Sequence, residues 1–206
     1  MGRVTSRFPA AGLARLKDML TLPMLTLMMT SVTIAPLATQ TPLPAYFEAG
    51  SGAVDETAPG GFSRSDNRPL RIDRPAGPER LSLTAFPAAE GVFQEKYRGF
   101  LVTLENRTGE AVWFNAVDSR LRIVREARDS SGHWKAVESL PTSFCGNSYH
   151  RVALPNDHYW SFVAPVYAGS MRTMMRFVLH EKDRVLVSNE FEGMIDPLQF
   201  QDYADR

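Results

Sequence analysis

Alternation of apolar and polar residues in the later two thirds of the chain constrains its fold more than any other feature. The stretch GFLVTLEN places Phe100, Val102 and Leu104 at every second position. The stretch MRTMMRFVLH alternates in the same way from Met171 to Leu179. A period of two puts such side chains on one face of a β-strand. The sequence therefore predicts strands over these stretches.

Turn residues separate the strand-like runs. ENRTGE, DSSG and LPND each lie between two of them, and Gly, Pro, Asn and Asp are the residues that tight turns favour. The pattern gives about eight strands and no helix after residue 40, at the spacing of a β-sandwich. We therefore expect an all-β fold, an antiparallel Greek-key β-sandwich of about 7–9 strands, over residues 70–200, followed by a short tail at 201–206.

The first 38 residues have a different character. Four basic residues precede the uncharged run MLTLPMLTLMMTSVTIAPL at positions 19–37. A basic flank followed by such a run is typical of an export signal, and the run is just long enough to span a bilayer as a helix. We expect residues 1–38 to be a hydrophobic helix acting as a signal peptide or an N-terminal membrane anchor. A buried or amphipathic helix of a soluble protein is the alternative.

Residues 39–69 read TQTPLPAYFEAGSGAVDETAPGGFSRSDNRP. The segment is rich in Pro, Gly, Ser and acidic residues and has no sustained hydrophobic period, which is the composition of a flexible linker. We expect it to join the N-terminal segment to the folded domain.

Composition excludes some classes of function. Lys plus Arg and Asp plus Glu number 23 each, so the formal charge is zero. A neutral chain gives no support for nucleic acid binding. A single cysteine excludes an internal disulfide bond, and no phosphate-binding loop or hydrolase motif is present.

The domain resembles a known group of folds. The runs VTLENRTGEAVWF and LPNDHYWSFVAPVYAG, followed by MRTMMRFVL, resemble the immunoglobulin-like and fibronectin type III-like sandwiches of exported bacterial proteins. The Cys, Trp, Cys pattern of true immunoglobulin domains is absent. The resemblance implies an exported sandwich with an adhesive, scaffolding or carbohydrate-associated role.

One short stretch concentrates residues that can bind metals. SFCGNSYHRVALPNDHYW contains Cys145, His150, Asp157 and His158, which are ligand types for zinc. Cys145 and His150 also have a spacing seen in copper proteins, but no methionine follows within the same loop. The alternative is a turn between two strands, with Cys145 as a small buried residue and the histidines next to solvent.

The sequence therefore leads to two hypotheses. The first is an exported or membrane-tethered, non-enzymatic β-sandwich module without a cofactor, which binds a protein or glycan partner or has a structural role. It would be secreted, periplasmic or membrane-anchored, and would contact the membrane only through residues 1–38 if these are retained. The second is a small zinc or copper protein that uses the Cys145 to His158 region.

Overall fold

The computed structural model describes residues 34–51, 62–73 and 78–200. Across these ranges the regular structure is β-strand, with two short 3₁₀ helices at Gly146–Ser148 and Pro197–Phe200 and no α-helix. None of the helices in these ranges has the length and hydrophobicity needed to cross a membrane. The export segment predicted before residue 34 and the tail at 201–206 lie outside the described residues. The predicted all-β class is confirmed for the residues that the structure describes.

Fourteen strands occur in the described ranges, and eight of them have five residues or more. They are β1 (Leu37–Ala38), β2 (Leu70–Arg71), β3 (Leu81–Phe93), β4 (Tyr97–Asn106), β5 (Val112–Val117), β6 (Arg120–Leu121), β7 (Ile123–Arg128), β8 (Trp134–Ala136), β9 (Tyr149–Leu154), β10 (His158–Pro165), β11 (Tyr167–Ala168), β12 (Met171–Glu181), β13 (Arg184–Val187) and β14 (Phe191–Ile195).

The strands form two larger and two smaller sheets. The first sheet has the order β2-β10-β4-β3, and the second has the order β13-β12-β7-β8, with β14 also paired to β12. A third sheet has the order β6-β5-β9. Every pairing within these three sheets is antiparallel, whereas β1 pairs with β11 in parallel.

The predicted alternation matches the buried face of the first sheet. Phe100, Val102 and Leu104 of β4 are all buried, and Val102 and Leu104 lie opposite Phe162 and Trp160 of β10. Burying such side chains is the main favourable contribution to folding. The period of two therefore identified the core face of β4 correctly.

Aromatic contacts connect this face to the second sheet. The rings of Phe100 and Phe177 have centroids 6.1 Å apart, and those of Phe100 and Phe191 are 5.2 Å apart in an edge-to-face arrangement. Such edge-to-face pairs are a favoured aromatic geometry. The two larger sheets thus share one hydrophobic core.

The segment predicted as a flexible linker is part of this core. Phe47 is fully buried, with its ring centroid 5.2 Å from that of Phe162 and 5.4 Å from that of Phe177. Its carbonyl accepts a hydrogen bond from the Leu121 backbone at 2.9 Å, and Gly50 accepts one from the Trp160 indole at 3.0 Å. The expectation of a linker over 39–69 is therefore wrong for residues 39–51.

The later part of the same segment is also bound to the sheets. The Asn67 side chain donates hydrogen bonds to the carbonyls of Glu48 and Ser161, at 2.9 and 3.1 Å. The folded domain thus begins well before residue 70. Composition misled here because one large side chain inserted between two sheets needs no hydrophobic period along its own segment.

The predicted boundary at residue 38 also falls inside the folded domain. The Leu37 backbone N–H donates to the carbonyl of Val166 at 2.8 Å, and the Arg98 backbone N–H donates to that of Ala35 at 2.9 Å. Because both bonds join this segment to later strands, residues 35–38 belong to the domain rather than to a separate N-terminal segment.

A buried charge cluster lies at the centre of the fold. The Arg125 and Glu138 side chains are almost inaccessible to solvent, with Nε and Oε1 3.3 Å apart. The hydroxyls of Tyr46 and Tyr167 both donate to Glu138 Oε1, at 2.9 and 2.8 Å. The Arg125 guanidinium also donates to the carbonyl of Pro165 and lies 4.3 Å from the Tyr167 ring centroid. These contacts pair the buried charges with each other and join four separate segments of the chain, although Arg125 Nε has no hydrogen-bond partner.

Candidate functional site

Cys145 and His150, the first two predicted metal ligands, lie in different environments. Cys145 is exposed, at the start of the first 3₁₀ helix. His150 is buried, and its ring stacks on that of Phe62 with centroids 3.8 Å apart. Its Nδ1 donates to the carbonyl of Ser148 at 3.0 Å, since a carbonyl can only accept. The expectations of a buried Cys145 and a solvent-facing His150 are both wrong.

Asp157 and His158, the other two, lie in and beside the turn between β9 and β10. Asp157 has a φ of 56°, which places it in the left-handed region that turn residues tolerate. His158 is half-buried, and its Nδ1 donates to the carbonyl of Asn156 at 2.7 Å. Within the described part of the chain, no three His, Cys, Asp or Glu side chains are grouped so that they could hold a metal ion.

A cleft lies beside His150. One cavity of about 360 Å³ and another of about 310 Å³ share Asn115, Glu181 and Lys182 in their walls. We call the two together the β5–β12 cleft, since β5 and β9 form one wall and the β12–β13 hairpin forms the other. Its lining residues are Trp113, Asn115, Ala116, Val117, Arg122, Tyr149, His150, Arg151, His180, Glu181, Lys182, Asp183 and Arg184.

Glu181 and Asn115 join the two walls of the cleft. The Asn115 backbone N–H donates to Glu181 Oε1 at 3.0 Å, and the Asn115 side-chain amide donates to Oε2. Burial raises the pKa of Glu181 above the ordinary value for a glutamate, although the bonds from Asn115 and the charges of Arg122 and Arg184 act in the opposite direction. A carboxyl group whose pKa is raised by burial in a cleft is a candidate functional residue.

The cleft carries an excess of positive charge. Its walls hold four Arg or Lys residues, Arg122, Arg151, Lys182 and Arg184, against the two acids Glu181 and Asp183, a formal charge of +2 with histidines neutral. None of the four basic residues forms a salt bridge with a described residue. These four residues thus concentrate positive charge at the cleft, on a chain whose total formal charge is zero.

Aromatic side chains border the same cleft. Trp113 is partly exposed, and the Arg151 guanidinium lies 5.3 Å from its ring centroid. Tyr149 is half-exposed, while its hydroxyl is already bonded to the carbonyl of Ser143 at 3.1 Å. The hydroxyl of Tyr149 is thus bonded within the chain, while about half of the residue is open to solvent.

Another cavity, of about 520 Å³, lies against the outer face of the first sheet and is bordered by Phe86, Leu101, Thr103, Tyr159 and Ser161, among others. The walls of this cavity also include the charged residues Arg71 of β2 and Glu105 of β4. It has one basic residue, Arg71, where the β5–β12 cleft has four. We therefore take the cleft as the candidate binding site.

Sequence reasoning missed most of the cleft. Of the four predicted metal ligands, only His150 lines the cleft. Asn115 and Arg151 are paired across β5 and β9, while Glu181, the last residue of β12, is 66 positions beyond Asn115. The available signal was the run EKDR at positions 181–184, which concentrates charge at one hairpin turn.

We found no match to this chain among protein-family models, among curated proteins or among solved structures.

Proposed function

We propose that this chain is a non-enzymatic β-sandwich module that is held outside the cytoplasm and binds its partner in the β5–β12 cleft. The observation that carries the proposal is the set of four basic residues without a salt bridge around the Asn115–Glu181 pair, in a cleft on a chain of zero net charge. Local charge of this kind draws in a complementary ligand.

The sandwich architecture is supported by packing. The inner faces of the two larger sheets meet through Phe100, Phe177 and Phe191, and their strands are antiparallel. Two antiparallel sheets around one core are the arrangement of immunoglobulin-like sandwiches. The resemblance of this domain to exported immunoglobulin-like sandwiches is part of the proposal.

A binding role fits the cleft better than catalysis. Both carboxylate oxygens of Glu181 accept hydrogen bonds from Asn115. These bonds fix the position of the carboxylate and use it as a hydrogen-bond acceptor within the chain. Cys145, the one thiol, is exposed and is not among the residues that line the cleft. No Ser, Thr or Cys side chain, the usual nucleophiles of covalent catalysis, is among the residues that line the cleft.

The export component rests on the basic flank and uncharged run of residues 1–37. The hydrogen bonds of Ala35 and Leu37 limit the positions at which a signal peptide could be cleaved. Cleavage after Ala38 would remove these bonds from the domain. We therefore propose either a retained anchor or cleavage before Ala35.

The experiment is cell fractionation of the full-length chain in a bacterial host, with mass determination of its N-terminus. We expect the chain in the membrane or extracytoplasmic fraction, starting at Met1 if anchored or at a residue before Ala35 if cleaved. An intact chain in the soluble cytosolic fraction would contradict the proposal. A mature N-terminus after Ala38 would contradict the boundary while leaving export intact.

A further inference from the structure

We infer that the β5–β12 cleft binds an acidic polysaccharide, one whose sugar rings carry carboxylates. This inference rests on the proposed binding function and adds the chemical class of the ligand. It follows from three properties of the cleft taken together, namely its cations, its hydrogen-bond acceptors and its aromatic rings.

The cations require a negatively charged ligand. Arg151 and Arg184 are exposed residues on opposite walls of the cleft, and neither guanidinium is paired with a carboxylate of a described residue. Arg122 uses its Nε to donate to the carbonyl of His180 at 3.2 Å, and its charge acts on Glu181 without forming a salt bridge. A guanidinium fork matches the two oxygens of a carboxylate.

The acceptors require a ligand that also donates hydrogen bonds. Glu181 and Asp183 lie among the cations in the same cleft. A ligand with acceptor oxygens only, such as a chain of phosphates, would be repelled by both. A sugar acid carries hydroxyl donors beside each carboxylate, so it can satisfy the acids and the cations of the cleft at once.

The aromatic rings fit a sugar ring. Trp113 is partly exposed and Tyr149 is half-exposed, and both are amphipathic side chains that contribute apolar contact area. The two cavities, about 360 and 310 Å³, meet at Asn115 and Glu181. Each is in the range of small-ligand sites, and their junction suits a short linear ligand that continues from one into the other.

The test is calorimetric titration of the full-length chain with trigalacturonic acid and with its fully methyl-esterified form, which has the same sugar backbone without the charges. We expect the acid to bind, the ester to bind at least about tenfold more weakly, and added salt to weaken binding of the acid. Equal binding of the acid and the ester would overturn the inference.

Two double variants that remove the same charge test whether the sugar acid binds in the cleft. The Arg151→Gln, Arg184→Gln double variant should bind trigalacturonic acid at least about tenfold more weakly, the loss expected for one charge-assisted hydrogen bond. The control double variant, Arg98→Gln with Arg172→Gln, removes the same charge outside the cleft and should bind like the wild type. Unchanged binding by the cleft variant, or equal loss in both, would overturn the inference.

Two further outcomes separate the inference from the proposed function. If a soluble peptide of alternating Asp and Ser with equal charge binds as tightly as the sugar acid, the carbohydrate class is wrong although the cleft is a binding site. If the chain is exported but no trigalacturonic acid binds, the ligand class fails and the extracytoplasmic module stands. A cytosolic chain would overturn the proposed function itself, whatever it binds.

Discussion

Arg125 and Glu138 form an ion pair that is almost completely buried, with 3.3 Å between Nε and Oε1. Glu138 also accepts a hydrogen bond from the Arg125 backbone N–H at 2.9 Å, and its other oxygen accepts from two tyrosine hydroxyls. The pair therefore connects β7 to the segment after β8, and through Tyr46 it connects both to the N-terminal segment.

Breaking this pair should destabilise the fold strongly. Glu138→Leu leaves the Arg125 guanidinium buried without its carboxylate, which typically costs about 3–5 kcal/mol. Chemical denaturation of the full-length chain measures the loss. The control is Glu192→Leu, which breaks the exposed pair with Arg172 and should change the free energy of unfolding by less than about 1 kcal/mol. Similar values for the two variants would contradict this account of the core.

The N-terminal segment should contribute to stability through Phe47. Phe47→Ala removes a fully buried ring and should lower the free energy of unfolding by about 3–5 kcal/mol. Phe144→Ala is the matched control, because that ring is fully exposed and its removal should have almost no effect. A mild effect at Phe47, equal to that at Phe144, is the result expected of a flexible linker.

Alkaline pH should weaken the charge cluster. Burial, followed by the Glu138 charge, raises the pKa of Tyr167 well above the ordinary tyrosine value. A group whose pKa is higher in the folded state favours folding below its unfolded value, so this contribution is lost as pH rises above about 10. Denaturation curves on either side of that pH should show a smaller loss for Tyr167→Phe than for the wild type. An identical loss would show that the hydroxyl is not held as described.

Glu181 should retain its proton to a higher pH than an ordinary glutamate, because burial raises its pKa. Stability that depends on the protonated form is present at acid pH and declines as the pH rises through the folded-state pKa. Carboxyl-carbon NMR of the full-length chain follows this titration directly, with assignment by Glu181→Gln. A midpoint at or below the ordinary value would contradict the burial of this carboxyl group in the cleft.

We expect that Cys145 neither binds a metal ion nor contributes to the stability of the fold. Cys145 is exposed, so it should react rapidly with a maleimide in the native chain. Neither zinc nor Cys145→Ser should shift the melting temperature. A zinc-dependent rise in the wild type that is lost in Cys145→Ser would revive the metalloprotein hypothesis.

Strands were predictable from the sequence wherever one face of a sheet meets the core. Alternation identified Phe100, Val102 and Leu104 because their burial follows the strand period. Arg125 lies on the same inward register of β7 as Ile123 and Ala127, with both of these buried beside it. The sequence shows this register, but a charged residue at an inward position is expected to be exposed unless its buried partner is known.

The N-terminal segment and the cleft could not be predicted in the same way. Phe47 enters the core from a segment of linker composition, and its burial depends on sheets formed by later residues. The Asn115–Glu181 contact joins residues 66 positions apart. Local patterns carry no information on such pairings, which only the packing of β5 against the end of β12 creates.

The most direct test of the central claim, that the β5–β12 cleft is the binding site, is hydrogen–deuterium exchange of the full-length chain with and without trigalacturonic acid. We predict slower exchange in the segments 113–117, 149–151 and 180–184. Slower exchange confined to the outer face of the first sheet, at 101–105 and 159–161, or no change in the three cleft segments, would contradict the claim.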